Sequence, residues 1–110
     1  MILTDLLQYL NVNLSVEAYA EAPEELTDYV LIEQTASSRS NHIITTTIAI
    51  QSYGKSLLDA MNLNSEVETV MEGFLTLGNV TRVELETDYN FTNTTTKQYR
   101  WQAVYNITHY

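Results

Sequence analysis

Residues 42–75 read HIITTTIAIQSYGKSLLDAMNLNSEVETVMEGFL, and this stretch decides the fold. Its first part, His42 to Tyr53, is dense in Ile and Thr, β-branched residues whose stiff side chains suit a pleated surface. Gly54 breaks that run. Ser56 then stands three residues before Asp59. This is close to a capping box, with an acidic residue placed where the helix dipole favours negative charge. Beyond it Leu57, Ala60, Met61, Leu63, Val67, Val70, Met71 and Phe74 fall on one side of a helix running to about Leu75. At 1.5 Å per residue that helix is roughly 30 Å long, enough to lie across a small sheet.

Working upstream, Asp28 to Thr35 reads as a second strand, and the nearly all-apolar Tyr29-Val30-Leu31-Ile32 suits a central position. The polar run Ala36 to Asn41 joins it to the first as a hairpin and is expected to be mobile. Before that, Val12, Leu14, Val16, Ala18, Ala20 and Ala22 alternate with polar residues, the period of a half-buried strand, which Pro23 ends. Ile2, Leu3, Leu6, Leu7 and Leu10 form the stripe of a short helix over residues 1–10.

Downstream, Gly78 is a plausible stop to the long helix. Val83 and Leu85 alternate with Arg82, Glu84, Glu86 and Asp88. Later Tyr99, Trp101, Ala103, Tyr105 and Ile107 alternate with Arg100, Gln102, Asn106 and Thr108. The threonine-rich segment Tyr89 to Lys97 between these two strands reads as a mobile linker. The order is α-β-β-β-α-β-β: a single α+β domain over residues 1–110. Its mainly antiparallel sheet has about four to five strands, with a short N-terminal helix and one long helix on one face.

The composition agrees with one folded domain. Of 110 residues, 45% are hydrophobic and 17% charged, enough apolar mass for a core and too little charge for a disordered chain. There is no cysteine, which excludes disulfides and thiolate metal sites. Five Lys and Arg against 14 Asp and Glu give a net charge of −9, a balance that duplex DNA repels. No basic leader followed by an apolar run, and no long apolar span, is found in the sequence. Asn-x-Ser/Thr triplets at Asn13, Asn79, Asn90, Asn93 and Asn106 accordingly read as chance in a chain rich in Asn and Thr.

Catalytic chemistry is poorly supplied. His42 and His109 stand far apart with no ligand spacing around them. Ser38 or Ser40 with Asp88 lacks the strand-to-helix elbow that exposes a nucleophile. Glu66 and Glu68, two apart on a helix, point to different faces. Glu24, Glu25 and Asp28 read as a solvated turn. The sequence therefore assigns no catalytic, cofactor-binding or metal-binding residue and no cofactor, and the chain is expected not to be an enzyme. A small enzyme or ligand-binding domain remains the weaker alternative.

Interaction surfaces are better supplied. Glu84, Glu86 and Asp88 form an outward acidic row: either a solvated strand face, or a face toward a lumen or partner. Tyr, Trp and Arg dominate interface energetics, and Arg100, facing away from Trp101, is the best candidate in the last strand. Few lysines guard the sheet edges, so a neighbouring subunit is a reasonable cover.

Several stretches in order together resemble the tail terminator proteins of long-tailed bacteriophages and prophages, also called tail-to-head joining, tail completion or minor capsid proteins. They are Val30-Leu31-Ile32-Glu33-Gln34-Thr35 with the loop Ser37-Ser38-Arg39-Ser40-Asn41, and Ile48-Ala49-Ile50-Gln51-Ser52-Tyr53-Gly54-Lys55-Ser56. Val80-Thr81-Arg82-Val83-Glu84, Asp88-Tyr89-Asn90-Phe91 and Gln98-Tyr99-Arg100-Trp101-Gln102-Ala103-Val104-Tyr105 complete them. The similarity spans nearly the whole chain; Thr92 to Gln98 departs from it, standing where such proteins carry a proline-containing turn. The resemblance implies a homo-oligomeric ring, typically a hexamer. Such a ring ends the tail tube in the virion, having assembled in the host cytoplasm, and meets a head connector or stopper protein. Another neck or tail-tube component is the nearest alternative. Candidate subunit or partner contacts are Ser38, Arg39, Arg82, Tyr89, Asn90, Phe91, Tyr99 and Arg100, and the candidate acidic lumen face is Glu84, Glu86 and Asp88. DNA would pass without specific binding, kept from a ring wall carrying about −54 formal charges in a hexamer. No membrane association is implied.

Overall fold

The computed structural model describes residues 2–23, 28–76, 78–96 and 98–110. Its elements are α1 (Ile2–Asn13), β1 (Ala18–Tyr19), β2 (Tyr29–Ser40), β3 (Ile43–Gly54), α2 (Leu57–Glu72), a 3-10 turn (Gly73–Thr76), β4 (Val80–Asn90) and β5 (Tyr99–His109). This is the α+β order that the periodicities predict. The strands form one sheet in the order β1-β2-β3-β5-β4, antiparallel except where β1 runs parallel to β2.

The joint between β3 and α2 works as the sequence implies. Ser56 adopts an extended backbone and its hydroxyl accepts the Asp59 N–H at 3.1 Å, satisfying one of the donors a helix start leaves open. Gly54 is required just before it, because a Cβ there would lie 2.6 Å from the backbone nitrogen of Ala60. The strand therefore passes directly under the first turn of the helix. At the other end the helix stops at Gly73, earlier than Gly78, and the Gly73 N–H bonds back to the carbonyls of Val70 and Met71.

Both helices pack on one face of the sheet. Val30 and Ile32 of β2, Ile48 and Ile50 of β3, and Ala103, Tyr105 and Ile107 of β5 meet Leu6 and Leu10 of α1, Val67 and Met71 of α2, and Phe74. Tyr9 ties α1 to this layer, its hydroxyl donating to the Val70 carbonyl at 2.6 Å and its ring tilted against Phe74 at 5.2 Å.

Three expectations are corrected. Residues 12 and 13 continue α1, and only Ala18–Tyr19 forms a strand in the segment read as Val12 to Ala22. Apolar alternation there reflects a helix end and a turn, which Asn11 secures by accepting the Ala18 N–H at 2.8 Å and donating to its carbonyl. The presumed loop Ala36 to Asn41 is mostly strand: β2 runs to Ser40, and only Asn41 and His42 turn, with φ of 51° and 69°. Two consecutive positive φ values in a two-residue connection fit a type I′ turn, whose twist matches that of the flanking strands. Tyr89 and Asn90 likewise belong to β4 rather than to a linker. Among Glu24, Glu25 and Asp28, only Asp28 lies within the described residues.

Candidate functional site

The sheet face away from the helices carries an ordered ladder of rings. Tyr29, Tyr53 and Arg100 stand opposite one another on β2, β3 and β5. Tyr29 and Tyr53 stack with centroids 4.4 Å apart, and Tyr19 meets Tyr29 edge-on at 6.2 Å. The Arg100 guanidinium lies 5.8 Å from the Tyr53 ring centre and 4.4 Å from that of Phe91, and Tyr89 meets Phe91 edge-on at 5.8 Å. Arg100 also donates to the Phe91 carbonyl at 2.6 Å and to the Tyr53 hydroxyl at 3.1 Å. A planar cation between two ring faces is an attractive arrangement, stronger as solvent is excluded.

A parallel polar row runs alongside. Tyr53 donates to the Gln51 Oε1 at 3.0 Å, Gln51 Nε2 donates to Gln102 Oε1 at 2.8 Å, and Gln102 Nε2 donates to the Tyr89 hydroxyl. Tyr29, Tyr53, Gln51 and Gln102 of these two rows are all buried. Burial, first of all, raises the Tyr29 hydroxyl above its ordinary value.

Sequence reasoning placed Tyr89, Phe91 and Arg100 among the contact residues, and the fold brings these three together. Tyr29, Tyr53 and Gln51 were missed, though alternation along their strands puts them on the face opposite Ile32 and Ile50. Tyr99 is half-buried at the start of β5. Asn90 sits opposite Trp101, and its side-chain oxygen accepts the N–H and hydroxyl of Thr92 at 3.0 and 2.6 Å. The following segment is pinned by the Asn93–Gln98 bridge, with the Asn93 side chain accepting the N–H groups of Thr95 and Thr96. Ser38 and Arg39 lie elsewhere. Nine positions separate Tyr29 from Ser38 along β2, roughly 30 Å of strand.

The acidic row does not survive as a row. A register shift between Leu85 and Thr87 leaves Glu84 opposite Asn106 but turns Asp88 opposite Ala103, on the helix-covered side. A bulge of one residue reverses the alternation beyond it. Arg82 pairs with Glu84 on the outer face. Asp88 instead meets Glu68 of α2, and their hydrogen bond, with burial and the Asp88 and Glu72 charges, pushes the Glu68 carboxyl up to about 7. Asn64 Nδ2 donates to Glu68 at 3.3 Å, while its side-chain oxygen is buried with no partner among the described residues. Glu66, on another face, accepts the N–H and hydroxyl of Ser15 at 2.6 and 2.8 Å.

Beside this pair a groove of about 310 Å³ opens between α2 and β4, lined by Glu68, Met71, Glu72, Val83, Leu85 and Tyr105. Leu85 is 42% exposed at its mouth. Both sheet edges are open to pairing among the described residues. β1 covers only Val30 and Leu31 of β2, leaving Glu33–Ser40 unpaired on that side, and β4 pairs only with β5. β2 and β4 run in opposite directions, so the sheet of one molecule can continue into the next as an antiparallel sheet.

His109 is buried and shares a hydrogen bond with the Thr46 hydroxyl at 2.9 Å, a core contact, while His42 is exposed in the hairpin turn. Among the described residues no three His, Asp or Glu side chains are gathered to hold a metal ion, and no helix is long and apolar enough to cross a membrane. Comparison of the chain with protein-family models and with curated proteins gives no match.

Proposed function

We propose that this protein is a structural component of a bacteriophage or prophage tail, a tail terminator that closes as a ring on the finished tail tube. The ring stops further tube growth and forms the tail side of the joint with the head, with no catalytic step. Its site of action is the virion, at the tail-to-head junction. The phage part of this reading rests on the sequence resemblance, which runs through nearly the whole chain.

One observation carries the assembly part: two open sheet edges of opposite strand direction. A heterologous contact between such edges repeats around an axis and closes if the rotation permits. The helix-free face supports the same reading, since the exposed Tyr89 and Phe91 with the half-buried Arg100 suit contact with another protein. The acidic balance suits a channel that DNA crosses without adhering. Asp88 leaves that wall because it faces α2, and Glu84 and Glu86 remain its candidates on β4.

Co-expression with a tail tube protein, followed by electron microscopy of negatively stained tubes, tests the proposal. Tubes of limited length with a ring at one end are expected. Unlimited, uncapped tubes in the presence of excess chain would sink it, and tubes built of this chain alone would make it a tube subunit.

A further inference from the structure

The groove between α2 and β4 has an apolar floor of Met71, Val83, Leu85 and Tyr105, with Glu68 and Glu72 above it and Asp88 beside it. Among the described residues no basic side chain lines it. The crowding of like charges is visible in Glu68, which holds its proton far above the usual carboxylate range. The ligand this surroundings favour is a cation on an apolar stem, a description that fits arginine.

The chain itself presents such a group. Residues 33–40 of β2 are all exposed, forming the outer strand of a hairpin arm in a molecule 44 Å long and 25 by 22 Å across. Arg39 is the basic residue of that arm, and it stands opposite Ile44, on the helix side of the sheet. The ion pair found among the described residues joins Arg82 to Glu84, leaving Arg39 without a carboxylate.

We propose that the groove receives the hairpin arm of a second copy of this chain, with that copy's Arg39 lying on Leu85 and reaching Glu72 and Glu68. The contact rests on the ring reading above and specifies its subunit interface. The strand geometry agrees. An antiparallel register that matches Glu33–Ser40 of one molecule to Glu84–Phe91 of the next sets Arg39 beside Leu85. Both residues then face the helix side, since Leu85 stands opposite Tyr105. Backbone hydrogen bonds along the strands supply affinity in this mode of pairing, and the side chains seated beside them set the register. The bulges near Thr35 and Glu86 kink both edges, which disfavours pairing with flat, unrelated strands.

Charge reversal tests this on the full chain, with self-association read by sedimentation velocity and folding by circular dichroism. Arg39→Glu is expected to weaken self-association by roughly tenfold or more, and the double substitution Glu68→Arg with Glu72→Arg to do the same. Combining all three should restore it to within about threefold, because the pair is re-formed with its signs exchanged. Normal association of the Arg39→Glu protein overturns the proposal. So does a folded triple variant that stays dissociated, or a parent chain that is monomeric at every concentration. The tube assay separates this contact from the function proposed above. Arg39→Glu protein that associates and caps tubes like the parent refutes the contact alone. A successful charge exchange in a chain that never caps tubes refutes the tail reading alone.

Discussion

Glu68 on α2 and Asp88 on β4 meet beside a groove and share a hydrogen bond, because a single bulged residue, Glu86, turns Asp88 out of the acidic row toward the helices. The relationship joins the two structural layers. It also stores a pH dependence, since Asp88, burial and the Glu72 charge all bear on the Glu68 carboxyl.

The folded value for Glu68 is about 7 against an ordinary 4.5, so the folded state holds a proton that the unfolded chain has lost. The resulting stability is fully present below pH 4.5 and is lost as pH rises to about 7. Solvent around this partly exposed pair screens it, so we expect a contribution of about 1 kcal/mol. Urea midpoints measured from pH 4.5 to 8 should fall across that window, and Glu68→Gln should flatten the fall. Parallel pH profiles for the two proteins would show that Glu68 is not the group responsible.

Ser56 is the N-cap of α2. Replacing it by Ala leaves the Asp59 N–H without its side-chain acceptor and should cost about 1 kcal/mol in denaturant unfolding, whereas Ser56→Asp should cost little.

Gly54 has a backbone neighbour where its Cβ would be, so Gly54→Ala must displace the first turn of α2. A loss of about 1–3 kcal/mol is expected, with a lowered thermal midpoint. An unchanged midpoint would mean that β3 and α2 are less closely joined than the structure shows.

Arg100 links Tyr53 to Phe91, so Arg100→Ala should free the Phe91 carbonyl, the Tyr53 hydroxyl and both ring faces. We expect about 1–3 kcal/mol of destabilisation and faster amide exchange over residues 91–98. Arg100→Lys should recover only part of this, because a point charge cannot lie flat between two rings.

The sequence is legible where one period dominates. The β3 to α2 joint, the order of elements along the chain and the α+β class follow from the Ile/Thr run, the Ser56 cap and the apolar stripe from Ala60 to Phe74. It misleads where the physics is not periodic. Val12 to Ala22 alternates like a strand, but α1 takes its first two residues and only Ala18 and Tyr19 pair, with Val30 and Leu31 of β2. Ser37 to Ser40 looks like a loop by composition, yet it pairs with Ile43 to Thr46 because Asn41 can take the positive φ the hairpin turn demands. The acidic row is misjudged for one reason: strand alternation holds only while the register does, and the bulge after Leu85 carries no mark in the residues themselves. Glu68, the most perturbed carboxyl, could not be singled out without its cross-element partner. The ring ladder was half visible, through Arg100 and its neighbours on the last two strands.

The most direct measurement on the whole account is the native mass of the chain mixed with a tail tube protein. A closed oligomer of one size, six copies by the resemblance, bound to tube ends is the predicted outcome. A species that remains a single chain at all concentrations, with or without tubes, would contradict it.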